Sequence, residues 1–149
     1  MATTDSHVRA HQARVRVRYA ETDQMGVVYH SNYLVWMEIG RVEYVRSLGM
    51  NYKDLERQGL YLSVVGVTCR YLRPAKYDQE IVIETRLVNT NPRVVEFGYQ
   101  IRLAGEEKLL AEGSSKHMWL SRDWKPTRLP LEYQKILYGG ANRDVNIEL

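Results

Sequence analysis

Residues 14–20 read RVRVRYA, residues 21–26 read ETDQMG, and residues 33–48 read YLVWMEIGRVEYVRSL. In the first segment apolar residues alternate with arginine, a period of two that predicts a strand with one buried face. The second segment has the composition of a turn. The third contains no proline, ends before a glycine and follows Ser31 and Asn32, either of which suits a helix N-cap. These residues predict a strand, a turn and a long helix, in that order.

The charged residues of the long helix do not share one face. At about 100° per residue, four of them fall on widely separated sides with apolar residues between them: Glu38, Arg41, Glu43 and Arg46. A helix lying on a surface would gather its charges on one side. We therefore expect a helix enclosed on several sides, as by a sheet wrapped round it.

After Gly59 the chain is rich in Val, Ile, Tyr and Leu, in segments separated by turn residues. The pattern predicts four further strands, at residues 61–73, 80–89, 94–103 and 108–121. Two short helices are predicted as well, at 52–58 and 131–138. This order of elements indicates an α+β fold with one antiparallel sheet and one long helix.

The length of 149 residues is that of a single domain. We divide the chain into a flexible N-terminal arm over residues 1–12, one domain over 13–138 and a C-terminal tail over 139–149. A single helix leaves part of one sheet face uncovered and both sheet edges exposed. Pairing with a second copy would cover them, so we expect a homodimer or a homotetramer.

Composition narrows the class of protein. Hydrophobic residues make up 44% and charged residues 26%, as in folded globular proteins. No apolar run approaches the roughly 20 residues of a membrane-spanning helix, so no membrane span is expected. A single cysteine, Cys69, excludes an internal disulfide and suits a reducing compartment, which predicts a cytoplasmic location. The net charge of +3 is mild, so no nucleic-acid partner is expected.

Chemistry-bearing side chains concentrate just before the long helix, where the chain passes Tyr19, Asp23, Tyr29 and His30. The first N–H groups of a helix lack internal acceptors, so they can bind the oxyanion formed when a carbonyl is attacked. A nearby carboxylate, Asp23, can serve as nucleophile or as base toward water. The residues alone leave a simpler interpretation open, with Asp23 as a turn residue, His30 as a cap and Tyr19 as core.

Two stretches carry a family resemblance. Residues 18–33, RYAETDQMGVVYHSNY, resemble the signature of the 4-hydroxybenzoyl-CoA thioesterase family, and the Val-Tyr-His pattern within them is most similar to its branch associated with the Tol-Pal system. Residues 68–78, TCRYLRPAKYD, are similar to the family's second strand and turn. The resemblance spans about residues 13–130, in the element order predicted above.

The resemblance implies a hotdog fold, in which a five-stranded antiparallel sheet wraps round a long central helix, in dimers or tetramers. It implies hydrolysis of acyl-CoA thioesters without a metal or cofactor, in a cleft at the dimer interface. By position, Asp23 matches the family's catalytic aspartate. His30 lies where the family's oxyanion-binding backbone N–H sits, and Tyr19 and His30 match residues implicated in the Tol-Pal-associated branch. The expected catalytic residues are therefore Asp23, His30 and Tyr19.

A second group of residues is expected to bind substrate. Gly26 permits a turn, or a close approach of substrate, that a side chain would forbid. Tyr29 and Tyr33 flank the start of the helix. Four basic residues are candidates for contacts with the CoA phosphates, in this subunit or in its partner: Arg70, Arg73, Lys76 and Arg93.

Two other functions stay open. The first is hydrolysis of acyl-carrier-protein thioesters, since the same motif and a mildly basic chain suit an acidic carrier. The second is non-catalytic binding of acyl-CoA, which would need no carboxylate at Asp23. The sequence does not determine whether the acyl group is aromatic, branched or aliphatic. It also does not choose between a covalent and a general-base mechanism.

Overall fold

The computed structural model describes residues 9–139. Its strands are β1 (Ala10–Arg16), β2 (Tyr61–Tyr71), β3 (Glu80–Thr90), β4 (Val94–Leu103) and β5 (Leu109–Leu120). Its helices are α1 (Asn32–Ser47), α2 (Tyr52–Arg57) and α3 (Leu131–Leu137), and a 3-10 turn covers Tyr19–Glu21. The predicted helices and the four later strands are all present, close to their predicted bounds.

The five strands form one antiparallel sheet in the order β1-β3-β4-β5-β2. Helix α1 lies against the inner face of this sheet and packs mainly on β1, β3 and β4. Strands β1 and β2 are the two edges. This is the α+β arrangement that the order of elements predicted, and it is the arrangement expected of a hotdog fold.

Alternation along β4 decides which face of the sheet receives the helix. Val95, Phe97, Tyr99 and Ile101 are all buried, while the residues between them are less so. From α1, Tyr44 meets Phe97 edge to face with 5.8 Å between the ring centroids. Because burying a large apolar side chain contributes about 1.5–3 kcal/mol, this layer is a main source of stability.

In the single chain, α1 is buried mainly along the face that meets the sheet. Its buried residues repeat at helical spacing along one face: Tyr33, Trp36, Met37, Gly40, Tyr44 and Val45. On its flank Leu34 and Val35 are 39% and 46% exposed. Together with exposed Val64 and Val67 of β2 they line one cavity. We call these four residues the α1–β2 surface, which leaves α1 open on the side toward β2.

The ends of the predicted domain differ from the structure. β1 begins at Ala10, so residues 10–12, predicted as part of a flexible arm, pair with β3. Their alternation is weak because the positions on the buried side hold a histidine and an alanine, His11 and Ala13. Residues 1–8 of the predicted arm, and the predicted tail apart from Gly139, lie outside the described residues. Within the described range, no helix is both long and apolar enough to cross a bilayer.

Tyr19 is not a core residue of the first strand, which corrects one interpretation from the sequence. The strand ends at Arg16; the Val17 N–H still bonds to the Gln79 carbonyl at 3.0 Å, and the chain then turns at Tyr19. Tyr19 lies in the 3-10 turn and is 77% exposed. Its ring meets that of Tyr77 at 5.3 Å between centroids, on the outside of the molecule.

Gly40 lets α1 approach the sheet closely. A methyl group at this position would lie 2.8 Å from Ile83 Cγ2 and would also contact Thr85 Oγ1. Both neighbours are buried on β3, so neither has room to move away. The glycine is therefore required by the helix–sheet distance, since its own backbone is ordinary helix.

We predict that Gly40→Ala destabilises the protein by about 1–2 kcal/mol, because overpacking outweighs the better helix propensity of alanine. Glu38→Ala, at an exposed position of the same helix, serves as the control and should change stability little. Urea unfolding followed by circular dichroism measures both. A Gly40→Ala protein as stable as the wild type would contradict the packing argument.

A row of polar side chains crosses the core beneath α1. The Tyr99 hydroxyl lies 2.5 Å from Ser115 Oγ, which in turn lies 2.7 Å from His117 Nε2. All three residues are buried. Burial lowers the pKa of His117 to about 4, and the positive charge of Arg41 acts in the same direction. His117 is therefore neutral in the folded protein at neutral pH.

We predict that His117 makes the protein less stable in mild acid. The unfolded chain protonates this histidine near pH 6.5 and the folded chain only near pH 4, so stability present above pH 6.5 is lost as the pH falls toward 4. In that window the pH slope of the free energy of unfolding should exceed that of His117→Gln by up to about 1.4 kcal/mol per pH unit. Urea unfolding of both proteins across this pH window measures the difference. The same pH slope in the wild type and in His117→Gln would contradict the prediction.

Candidate active site at the start of the long helix

The loop before α1 is held from inside by the buried carboxylate of Glu21. One of its oxygens accepts the Arg18 N–H at 2.8 Å, and the other accepts the indole N–H of Trp36 at 3.2 Å. The backbone carbonyl of Glu21 accepts the Tyr29 N–H at 2.8 Å and the Asn32 side-chain amide at 2.9 Å. Both ends of the loop are thereby tied to one residue.

Asp23 sits in this loop with one carboxylate oxygen engaged. Its Oδ1 accepts the Met25 N–H at 2.8 Å and the Val27 N–H at 3.4 Å, so the turn interpretation is correct. No hydrogen bond from a described residue reaches Oδ2. Gly26 completes the turn with a φ of +81°, which favours glycine, and a Cβ there would touch nothing within 4 Å. Asp23 is therefore fixed by one oxygen, and its other oxygen is unengaged among the described residues.

The backbone N–H of His30 is a free donor at the helix start. Among the described residues neither His30 nor Ser31 donates its N–H to any acceptor. The peptide that carries the His30 N–H is held through its Tyr29 carbonyl, which accepts the Asn32 N–H at 3.0 Å, and the next peptide through the His30 carbonyl, which accepts the Tyr33 N–H at 3.3 Å. Such unpaired donors carry the partial positive charge of a helix N-terminus and suit a developing anion.

Asp23 and His30 line the same cavity, which has a volume of about 350 Å³. Two tyrosines close it from α1 and from the end of β2, Tyr33 and Tyr71. The other walls are mostly apolar: Met25, Val27, Val28, Leu72, Arg73 and Pro74. The structure thus brings Asp23 and His30 to the wall of one pocket whose other walls are mostly apolar.

The two tyrosines of the cavity both stay protonated. Burial raises the pKa of Tyr33, and desolvation together with the neighbouring Cys69 and Tyr33 raises the pKa of Tyr71 to about 12. The Tyr71 hydroxyl donates to the His30 carbonyl at 3.0 Å. These side chains therefore act as apolar walls and hydrogen-bond donors at neutral pH, and do not supply a base.

Two of the predicted aromatic residues lie outside the cavity. Tyr19 is on the outer surface beside Tyr77, and it is absent from the cavity wall. The ring of Tyr29 packs on the His30 ring with 4.4 Å between the centroids, and it is about half exposed. The hydrogen bonds that Tyr29 makes within the loop come from its backbone and not from its side chain. Of the predicted site residues, the cavity brings together Asp23, His30, Tyr33 and Arg73.

The predicted arginines are spread over the molecule. Arg73 lines the cavity, whereas Arg70 points to the outer face of the sheet, where it pairs with Glu112 at 3.7 Å. Arg93 lies in the β3–β4 turn next to Trp119, at the other end of β5 from the cavity. Contacts of Arg70 or Arg93 with substrate would need the site of a partner subunit, and they stay predictions.

Sequence reasoning missed the roles of Glu21 and Tyr71. Nothing in the local pattern distinguishes Glu21 from Asp23, two residues later, because only the fold shows which carboxylate turns inward. Tyr71 is 41 residues from its partner His30, so no local pattern reports their contact. Within residues 9–139, no group of three His, Cys, Asp or Glu side chains is placed to hold a metal ion.

We predict that Glu21→Gln costs about 1–3 kcal/mol of stability. Its amide nitrogen would face either the Arg18 N–H or the Trp36 indole N–H, which leaves one buried donor without an acceptor. Glu38→Gln, at an exposed position of α1, is the matched control and should be close to neutral. Chemical unfolding of the three proteins tests this, and equal midpoints for both variants would contradict it.

Known proteins resemble this chain in sequence and in fold. The chain matches a model of the thioesterase-like superfamily over residues 17–137. It is 38% identical over 122 residues to YneP of Bacillus subtilis, a protein provisionally named as an acyl-CoA thioesterase, with 81% of this chain and 85% of that protein covered. It is 30% identical over 121 residues to the chloroplastic acyl-acyl carrier protein thioesterase ATL3 of Arabidopsis thaliana, covering 80% of this chain and 63% of that protein.

A solved structure shares the architecture. The DHNA-CoA thioesterase of Staphylococcus aureus superposes with a TM-score of 0.82 at 30% identity, covering 87% of this chain and 89% of that one. The hotdog fold expected from the resemblance is thereby confirmed. The chain therefore belongs to the thioesterase-like superfamily and is a hotdog-fold thioester hydrolase.

Proposed function

We propose that the protein hydrolyses acyl-CoA thioesters to the free acid and CoA, with Asp23 as the reacting carboxylate and the His30 N–H as oxyanion donor. The observation that supports the proposal is the shared cavity, which is lined both by Asp23, with one engaged carboxylate oxygen, and by His30, whose backbone N–H is unpaired among the described residues. The acyl-CoA thioesterase name of the Bacillus subtilis relative supports the substrate class.

Two routes fit this arrangement. In the first, Asp23 takes a proton from a water whose oxygen attacks the thioester carbon. In the second, Oδ2 attacks the carbon directly and forms a mixed anhydride, which water then hydrolyses. In both, the negative charge on the carbonyl oxygen is stabilised by the His30 N–H, the C–S bond breaks, and the CoA thiolate is protonated.

The remaining site residues are assigned smaller roles. Tyr33 forms part of the acyl-binding wall, and Arg73 at the cavity rim is placed to attract a CoA phosphate. Gly26 serves the turn of Asp23. We assign no chemical step to Tyr19, which lies outside the cavity. None is assigned to the His30 side chain either, because the unpaired backbone N–H of His30 is the group better supported as the oxyanion donor.

The proposed assembly is a homodimer formed through the α1–β2 surface. Association of two such dimers into a homotetramer is not required for the site. Four exposed apolar side chains of that surface border the unpaired edge of β2, and Val65 on the same strand is 52% exposed as well. A second copy would bury these groups and pair the strand edge. The cytoplasmic location predicted from the single cysteine remains a prediction.

An acyl-carrier-protein thioester is the second candidate substrate. The Arabidopsis thaliana relative, named as an acyl-acyl carrier protein thioesterase, favours it. The chemistry at the thioester carbon is the same for both carriers, so the cavity does not discriminate between them. A direct comparison of kcat/KM on the same acyl group carried by CoA and by the carrier protein separates the two.

We predict that Asp23→Asn lowers kcat by about 10²–10⁴-fold, because the reacting carboxylate is lost. The amide oxygen can still accept the Met25 N–H, so the turn should persist. Thiol release from a panel of aromatic, branched and aliphatic acyl-CoAs measures the loss and identifies the preferred acyl group. Asp123→Asn removes a carboxylate from an exposed turn and serves as the matched control with unchanged rate.

The outcomes separate the proposed function from its alternatives. Full activity in a folded Asp23→Asn protein of wild-type assembly state would exclude the mechanism. Absence of hydrolysis by the wild type on every CoA and carrier-protein ester, with acyl-CoA still bound, would support a non-catalytic acyl-CoA-binding protein instead.

A further inference from the structure

The hydroxyl of Tyr71 links the end of β2 to the start of α1. It donates to the His30 carbonyl at 3.0 Å, and the same carbonyl accepts the Tyr33 N–H at 3.3 Å. The Tyr71 ring stands edge to face against Tyr33 with 5.1 Å between centroids, and it lies 6.2 Å from the His30 ring. Tyr71 is therefore held by its ring as well as by its hydroxyl.

This contact immobilises the peptide that follows the free N–H of His30. The peptide that precedes it is already held, since Tyr29 donates to the Glu21 carbonyl, and the carbonyl of the N–H's own peptide, that of Tyr29, accepts from Asn32. With both flanking peptides fixed, the direction of the His30 N–H is fixed too. Donors aimed in advance at a developing charge need no reorganisation during the reaction, which is the largest source of catalysis in many enzymes.

We infer that Tyr71 is a positioning residue for the oxyanion site, which acts through the His30 carbonyl to hold the His30 N–H in place. The inference rests on the proposed function, because it concerns the same oxyanion. Tyr71 also lines the cavity, but its hydroxyl is directed to the backbone carbonyl and so is engaged before any substrate binds.

The hydroxyl is suited to this role across the neutral range. Its pKa is raised to about 12, so it remains a donor at every pH at which the enzyme would be assayed. Acting through a backbone group, it needs neither to gain nor to lose a proton during the reaction. Its removal should therefore change the rate without changing the shape of the pH profile.

The first test compares Tyr71→Phe with Tyr77→Phe. Both variants lose one hydroxyl from a partly exposed tyrosine, but the Tyr77 hydroxyl makes no hydrogen bond with any described residue. Tyr71→Phe should lower kcat about tenfold with KM within about twofold of the wild type and the pH profile unshifted. Tyr77→Phe should match the wild type. Thermal unfolding and gel filtration establish that both variants keep the wild-type fold and assembly.

A second test reads the oxyanion site without turnover. In Asp23→Asn the substrate stays intact, so the infrared stretch of a ¹³C-labelled thioester carbonyl can be recorded in the bound state. Hydrogen bonding to the carbonyl oxygen moves this band to lower wavenumber. Adding Tyr71→Phe should reverse part of that shift, whereas adding Tyr77→Phe should leave it unchanged. A residue that only stabilised the fold would not move the band.

The inference and the proposed function fail in different ways. If the wild type hydrolyses acyl-CoA but Tyr71→Phe retains its kcat and the carbonyl band of the double variant does not move, Tyr71 has no positioning role and the proposed function stands. If the wild type hydrolyses no thioester, the proposed function fails first, and the inference fails with it.

Discussion

The buried carboxylate of Glu21 is the contact on which the candidate site depends. It accepts the Arg18 N–H and the Trp36 indole N–H, and its backbone carbonyl accepts two donors from the start of α1. A buried carboxylate is costly unless its oxygens are satisfied, and here both are. The same contacts tie the end of the first strand to the long helix. The loop between them has little freedom left.

That rigidity explains how a short loop can present reactive groups before any substrate arrives. Asp23 is held through one oxygen by the backbone of its own turn, and the peptide that carries the His30 N–H is engaged through its carbonyl, as is the peptide after it. The N–H donors of a helix N-terminus need hydrogen-bond acceptors, and among the described residues the His30 N–H has none. An oxyanion formed beside Asp23 would meet that need.

The close packing of α1 on the sheet and its open flank have one origin. Gly40 allows the helix to sit against Ile83 and Thr85, over the β1 side of the sheet. This leaves β2 with few contacts to α1, and the short helix α2 contacts that strand instead. The apolar α1–β2 surface is the result, and it borders the strand end that carries Tyr71. Assembly through that surface would therefore enclose the cavity as well as cover apolar groups.

The sequence by itself determined the element order, the four later strands, the long helix and the motif that holds Asp23 and His30. These depend on local periodicity and turn chemistry, which are written in neighbouring residues. Only the tertiary structure decided that Glu21 turns inward, that Tyr19 turns outward, and that Tyr71 reaches His30. Those outcomes depend on which distant segments meet, and a contact across 41 residues leaves no local pattern. The sequence also did not determine that α1 has one open flank. A helical wheel gives the direction of each side chain but not what lies in that direction.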